Sequence, residues 1–511
     1  MQLSKTCPRR PVRRLAALAG AVMLACMGST ATAPPATAFF EKEGGGWLNI
    51  VPREQEAAIG AEQHQQVVAE FGGVYRNDQV ASYVAEIGHR LANASGTTGI
   101  NYVFTVLDSP VVNAFALPGG YVYITRGLIA LANNEAELAG VIAHEMGHVI
   151  ARHGTQRMTR GVLAELGTMI LGSVFDSPAI GDIARTGAGV WMSGYSREQE
   201  READSLAVRY LKAAGYPPIA MASFLGTMGQ MDELQRKIGG SARNDGFFAL
   251  LATHPSNAER VQLAIAEAGG NTERAWQGAL GFGRDVYLNR IDGMVYGDSP
   301  AQGFIRDHGF IHPEMGFAFS VPQGFNLTNT PAAVLIRGPD NAQGVFDADM
   351  RSNPTPAGGD PAVYIRDVWT GQQPVQGLER ITIDGLPAAT ATANVRTSGG
   401  DSVVRLVAIR TGDRFYRFQF AAPQNRSAAL APAFRQIAIS FRQLSPAEAR
   451  SYQPERLRVL PVRSGETSQS FAAASALEEP KLERFRVLNG LRAGEEIAPG
   501  ERVKTVQVGA R

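Results

Sequence analysis

The sequence predicts an α+β chain in three parts: a mainly helical first domain with a small sheet, a β-rich α+β middle domain and a small βααβ unit. Three observations predict it. Up to about residue 270, apolar residues recur at helical spacing behind two capping patterns, Asn134–Glu137 and Ser196–Gln199. Over residues 285–445, short alternating segments are punctuated by Gly, Pro, Asn and Asp. Over residues 457–508, one strand pattern, two short helical patterns and a second strand pattern follow in order. A chain of 511 residues has room for two or three domains.

Residues 1–38 read as an export signal. Arg9, Arg10, Arg13 and Arg14 precede an apolar run at 15–27, and Ala36-Thr37-Ala38 offers a small-residue cleavage site. Both cysteines, Cys7 and Cys26, lie in this segment, so cleavage leaves a chain without disulfides or thiolate ligands. Cys26 ends a loose lipobox-like pattern, with a lipid anchor there as the alternative. The expected location is the periplasm or cell envelope, with no transmembrane helix in the mature chain. With 49 basic and 48 acidic side chains, the net charge of +1 does not suggest a nucleic-acid partner.

In the first domain, helices are expected over 53–70 and 78–94, the second carrying Val80, Val84, Ile87 and Leu91 on one face. A strand is expected over 102–107. Pro118-Gly119-Gly120 then turns the chain into an alternating strand, Tyr121–Thr125, read either as ordinary and half-buried or as an edge strand that pairs with an extended substrate. The glycine-rich apolar stretch at 161–194 is either a buried connection or a mobile lid. Ser196 opens a helix that Gly215 and Pro217 close. A polar helix near 231–238 and another ending near Ala268 complete a domain spanning 39–270. The middle domain then spans 271–450 and the last unit 451–511.

The chemistry centres on His144-Glu-Met-Gly-His148. Histidines four apart on a helix share one face and can hold one zinc ion, with Glu145 placed to activate water. A catalytic zinc takes three protein ligands. A ligand from the same stretch would need glycine at 151 and histidine at 154. Ala151 and Gly154 stand there, and His153 is one residue off register, which makes it an exposed residue or a partner of a ligand. Glu200, on the Ser196-capped helix, is the best third ligand. Asp204, one turn on, can accept a hydrogen bond from the free nitrogen of a ligating histidine. His254 or Arg260 could supply an oxyanion donor. His254 could instead be structural, or could fill the open zinc position and hold the site shut.

Taken together, several pieces resemble one known family. They are Asn113-Ala-Phe-Ala-Leu-Pro-Gly-Gly120, Gly127-Leu128, His144–His148, Ser196-Arg197 with Glu200 and Asp204, and His254-Pro255 with Arg260. The first domain resembles the gluzincin metallopeptidases that include the HtpX heat-shock protease and the CAAX prenyl protease. The likeness is to the soluble periplasmic branch typified by the β-barrel assembly-enhancing protease. That resemblance implies one Zn2+ per chain on His144, His148 and Glu200, with Glu145 as base. It also implies quality control of unfolded or misassembled envelope proteins. The sequence departs from the family in lacking its long spanning helices and in showing no tetratricopeptide period over 271–511.

The last unit is similar to a LysM module through Gly465-Glu466-Thr467, Asn489-Gly490-Leu491 and Pro499-Gly500, which would imply peptidoglycan as a partner. Gly316–Pro322 gives the middle domain a faint likeness to PsbP-like folds. A zinc endopeptidase is the leading expectation. A cell-wall hydrolase and a zinc-stabilised chaperone with a latent site are the alternatives.

Overall fold

Helices α1 (Arg53–Glu70) and α2 (Asp78–Ser95) open the described chain. The computed structural model describes residues 52–157, 194–238, 254, 258–270, 279–349, 359–397, 400–492 and 494–509. The expected export signal with Cys7 and Cys26 lies outside these residues, as does the 161–194 stretch apart from Gly194. Asn77 caps α2 by accepting from the Val80 amide, and Val80, Val84, Ile87 and Leu91 are all buried. No described helix is long and apolar enough to cross a membrane.

Strands β1 (Val103–Leu107), β2 (Ala114–Leu117) and β3 (Tyr121–Thr125) form a sheet in the order β1-β3-β2. The expected edge strand is therefore the central one. Tyr121–Thr125 pairs parallel with β1 and antiparallel with β2, leaving β2 on the rim. Nor is it half-buried. Tyr123 packs with Val67 of α1 on one face, while Val122 and Ile124 join the main core on the other. Alternation in the sequence marked two differently packed faces rather than one wet and one dry.

Helix α3 (Arg126–Leu131) leads into α4 (Glu135–Ile150), which carries the two histidines. Helices α5 (Arg197–Ala213), α6 (Ala220–Ile238), α7 (Ala258–Glu267) and α8 (Arg284–Ile291) follow. Helix α6 begins well before the expected 231, because Met221, Phe224, Leu225 and Met228 are buried and extend it into the core.

In the middle domain an antiparallel seven-stranded sheet faces a four-stranded one. Between them Phe310, Phe317, Phe319, Phe346, Phe418 and Phe441 form an aromatic core. The helix over Ser427–Ile439 runs through Pro432. In the last unit, strands Glu455–Pro461 and Arg502–Val508 flank helices Ser468–Ala474 and Lys481–Leu488. The βααβ order is as expected, but this unit does not close on itself. Leu457, Phe485, Leu488 and Val506 belong to the same core as Ile129, Leu131, Met231 and Tyr287. Val295–Tyr296 adds a third strand to its sheet. The Lys504 ammonium is buried and donates to the carbonyls of Ala130, Leu131 and Ala132 at 2.8, 3.0 and 2.7 Å, closing the C-terminal end of α3.

Candidate metal centre

The register of α4 is locked at its start. Asn134 Oδ1 accepts from the Glu137 amide at 2.9 Å. The expected return bond is shifted by one residue, since the Glu137 carboxylate accepts from the Asn133 amide at 2.8 Å. Glu135 accepts from the hydroxyls of Tyr83 and Tyr216 at 2.7 and 2.9 Å and from Arg90 at 3.2 Å. On α5 the capping box at Ser196 and Gln199 is complete. The two helices meet at Gly147, between the histidines. A Cβ there would stand 3.1 Å from the Cα and carbonyl oxygen of Ala203. Glycine at 147 thus lets the α5 backbone approach closely enough for Glu200 and Asp204 to reach the histidines.

There the side chains converge. His144 Nε2 and His148 Nε2 are 3.0 Å apart, and each lies 3.5 Å from a Glu200 oxygen. Donors bound at ~2.0–2.1 Å to a tetrahedral zinc stand about 3.3 Å from one another, so this spacing fits the ion. His254 joins the group, with all four ligand atoms within 4.8 Å of one another. Its Nδ1 lies 2.8 Å from Glu200 Oε1 and 3.3 Å from His144 Nε2, and its Nε2 lies 3.6 Å from Glu145 Oε1. Both Glu145 oxygens are buried without a hydrogen-bond partner among the described residues. A buried, unpartnered carboxylate is costly unless the site uses it.

The electrostatics also suit a cation. Burial alone would lower the basicity of His144, but Asp204 and Glu200 outweigh it and raise its pKa to about 10. That field favours positive charge at this point, proton or metal ion alike. Burial would raise the Glu200 carboxyl, yet His254, His144 and His148 hold it well below the usual range. Burial pushes the Glu145 carboxyl up, which suits a proton acceptor. It also drives the His148 imidazole well down, towards the neutral form a metal ligand needs.

Asp204 Oδ1 faces His144 Nδ1 at 2.9 Å. Arg260 Nε and Nη2 donate to the two Asp204 oxygens at 2.7 and 2.8 Å, and its Nη1 lies 2.9 Å from Glu200 Oε2. In this arrangement the guanidinium braces the two carboxylates of α5. His153 is buried rather than exposed, and its Nδ1 lies 2.8 Å from His148 Nδ1.

Two neighbours had not been singled out from the sequence. The Tyr195 ring stacks on His148 at a centroid distance of 3.9 Å, with the Arg157 guanidinium 4.4 Å from the Tyr195 ring centroid. Glu202 lies 3.2 Å from His153 Nε2. The available signal was position: Tyr195 directly precedes the Ser196 cap, and Glu202 lies two residues beyond Glu200. Beside His148 and Tyr195 is a narrow cleft bordered by Ala116, Leu117 and Pro118 at the β2 rim.

Residues 78–268 match the model of peptidase family M48. The mitochondrial metalloendopeptidase OMA1 of Arabidopsis thaliana is 34% identical over 178 residues, covering 35% of this chain and 33% of its own length. A putative beta-barrel assembly-enhancing protease of Vibrio cholerae is 34% identical over 158 residues, covering 29% and 33%. The chain thus spans about a third of the length of these relatives. A solution structure of cyanobacterial PsbP from Synechocystis sp. PCC 6803 matches at 16% identity, 29% of this chain and 98% of its own, with a TM-score of 0.22. The matched residues 78–268 include His144, Glu145, His148, Glu200 and Asp204, so the site lies within the stretch that resembles peptidase family M48.

Proposed function

We propose that this chain is a zinc-dependent endopeptidase of the cell envelope, cutting unfolded or misassembled envelope proteins. The observation that carries this reading is the meeting of His144, His148 and Glu200 at zinc-compatible spacing beside the Glu145 carboxylate, which has no hydrogen-bond partner among the described residues. His144, His148 and Glu200 would hold the zinc, which would supply the Lewis acidity for activating water near neutral pH and polarising a peptide carbonyl. Glu145 takes the proton of the attacking water and delivers it to the leaving amine as the C–N bond breaks. Asp204 orients His144, and Arg260 holds Asp204 and Glu200 in place. His254 stands among the donors, an arrangement that supports its role as a fourth partner closing the site. Moving it aside would clear room for a carbonyl next to Glu145.

The envelope assignment rests on the Arg-rich, apolar residues 1–38 and on relatives whose names refer to β-barrel assembly. Glu145→Gln is expected to retain zinc while lowering casein cleavage at least ~10²-fold, the usual scale of general acid–base catalysis. Casein cleavage undiminished in that variant would sink the mechanism. Release of fragments from purified peptidoglycan, with casein left intact, would favour a cell-wall hydrolase instead.

A further inference from the structure

The His148 side of the site contains a relay that the proposed mechanism does not use. His148 Nε2 faces His144 and Glu200 at 3.0 and 3.5 Å, so this nitrogen offers its lone pair to a cation. In a neutral ring the hydrogen is then on Nδ1, 2.8 Å from His153 Nδ1. His153 must accept there, which puts its own hydrogen on Nε2, 3.2 Å from Glu202 Oε2. One assignment of hydrogens satisfies the whole chain: His148 donates to His153, and His153 donates to Glu202.

The other ligating ring is held differently. His144 Nδ1 faces the buried Asp204 carboxylate directly, and Asp204 is braced by Arg260. On its Nδ1 side, His148 reaches a carboxylate through His153, and the Glu202 side chain is 49% exposed.

The backbone is shaped to put His153 there. Arg152 adopts φ 59°, in the left-handed region that favours glycine, at the turn directly after α4. Its Nε donates to Glu56 Oε1 at 2.8 Å, and Thr155 Oγ1 donates to the same oxygen at 2.6 Å. Helix α1 thereby holds a turn that folds residue 153 back against His148.

We infer that His153 is a positioning residue for the zinc ligand His148, fixing its tautomer and ring orientation, with Glu202 as its anchor. The inference rests on the zinc reading above. Its test is zinc affinity, measured by competition with a chromophoric chelator on the full chain, with circular dichroism as the control for folding. His153→Leu removes the acceptor at similar bulk and is expected to weaken zinc binding ~10–100-fold, the usual effect of losing a ligand's outer partner. His153→Asn returns an acceptor oxygen near the position of Nδ1 and is expected to recover most of that loss.

The absorption spectrum of the Co2+-substituted protein should change in His153→Leu and return towards the parent in His153→Asn. Zinc affinity unchanged in a folded His153→Leu variant would overturn the inference, as would equal losses in the Leu and Asn variants. Should His153→Leu fail to fold, the exposed Glu202→Ala replaces it. That variant is expected to weaken zinc binding severalfold, and parental affinity would count against the relay. A parent chain that binds no zinc would instead overturn the underlying zinc reading.

Discussion

Glu200 is the residue on which the site depends most. It lies close to His144, His148, His254 and Arg260, and burial leaves it no solvent to replace them. Glu200→Ala is expected to lower zinc affinity by more than the ~10–100-fold typical of an outer partner. Zinc content measured after dialysis checks this, and a stoichiometric ion in the variant would remove Glu200 from the ligand set. The sequence offered the residue types at this centre together with their helical spacing. It could not show that Arg260 spends its guanidinium on Asp204 and Glu200, because a pairing across 56 residues has no local signature. Nor could it show His153 turning inward, since the usual glycine signal for such a turn is missing and Arg152 takes the left-handed conformation itself.

Among the elements, the contact between α4 and α5 decides whether His144, His148 and Glu200 meet. On an isolated helix, replacing Gly147 with alanine would gain up to ~1 kcal/mol of propensity. Here the added methyl would press on the Ala203 backbone, which cannot rotate away as a flexible side chain can. Gly147→Ala is therefore expected to cost ~1–3 kcal/mol net, through overpacking, and to reduce zinc content. Urea denaturation reads the first effect, and an unchanged or higher midpoint would contradict it. Both helix starts were legible because caps are local: Asn134 and Ser196 each accept an amide three residues on. The place of Tyr121–Thr125 within its sheet was not legible. Strand order is set by which backbones pair, and that depends on residues far along the chain.

Across the whole molecule, the C-terminal unit is built into the first domain. Lys504 satisfies three carbonyls at the end of α3, three to five residues before the first residue of α4. Arg284 adds a bond to the Asn133 carbonyl at 2.8 Å, and Asn489 receives the Lys504 amide at 2.7 Å. Lys504→Met keeps the bulk and leaves those carbonyls buried without their donor, at ~1–3 kcal/mol for an unsatisfied group. The expected result is a single unfolding transition shifted by at least ~2 kcal/mol, with the first domain destabilised as well. A first domain that keeps its full stability after removal of residues 451–511 would contradict this coupling. Nothing local in the sequence marks Lys504 as buried, because lysine is rarely buried unless it is paired.

By itself, the sequence determined the chemistry on offer and its local presentation. Two histidines and a glutamate lie on one capped helix, a glutamate and an aspartate on another, and the βααβ order stands at the end of the chain. These follow from side-chain type, helical period and capping, all of which act over a few residues. Only the tertiary structure decided which groups face one another. It sets Gly147 against Ala203, Arg260 on the two carboxylates, His153 behind His148, and Lys504 on the carbonyls that end α3. Those pairings depend on the packing of segments distant in the chain, where burial removes competing water and selects partners that no local pattern records.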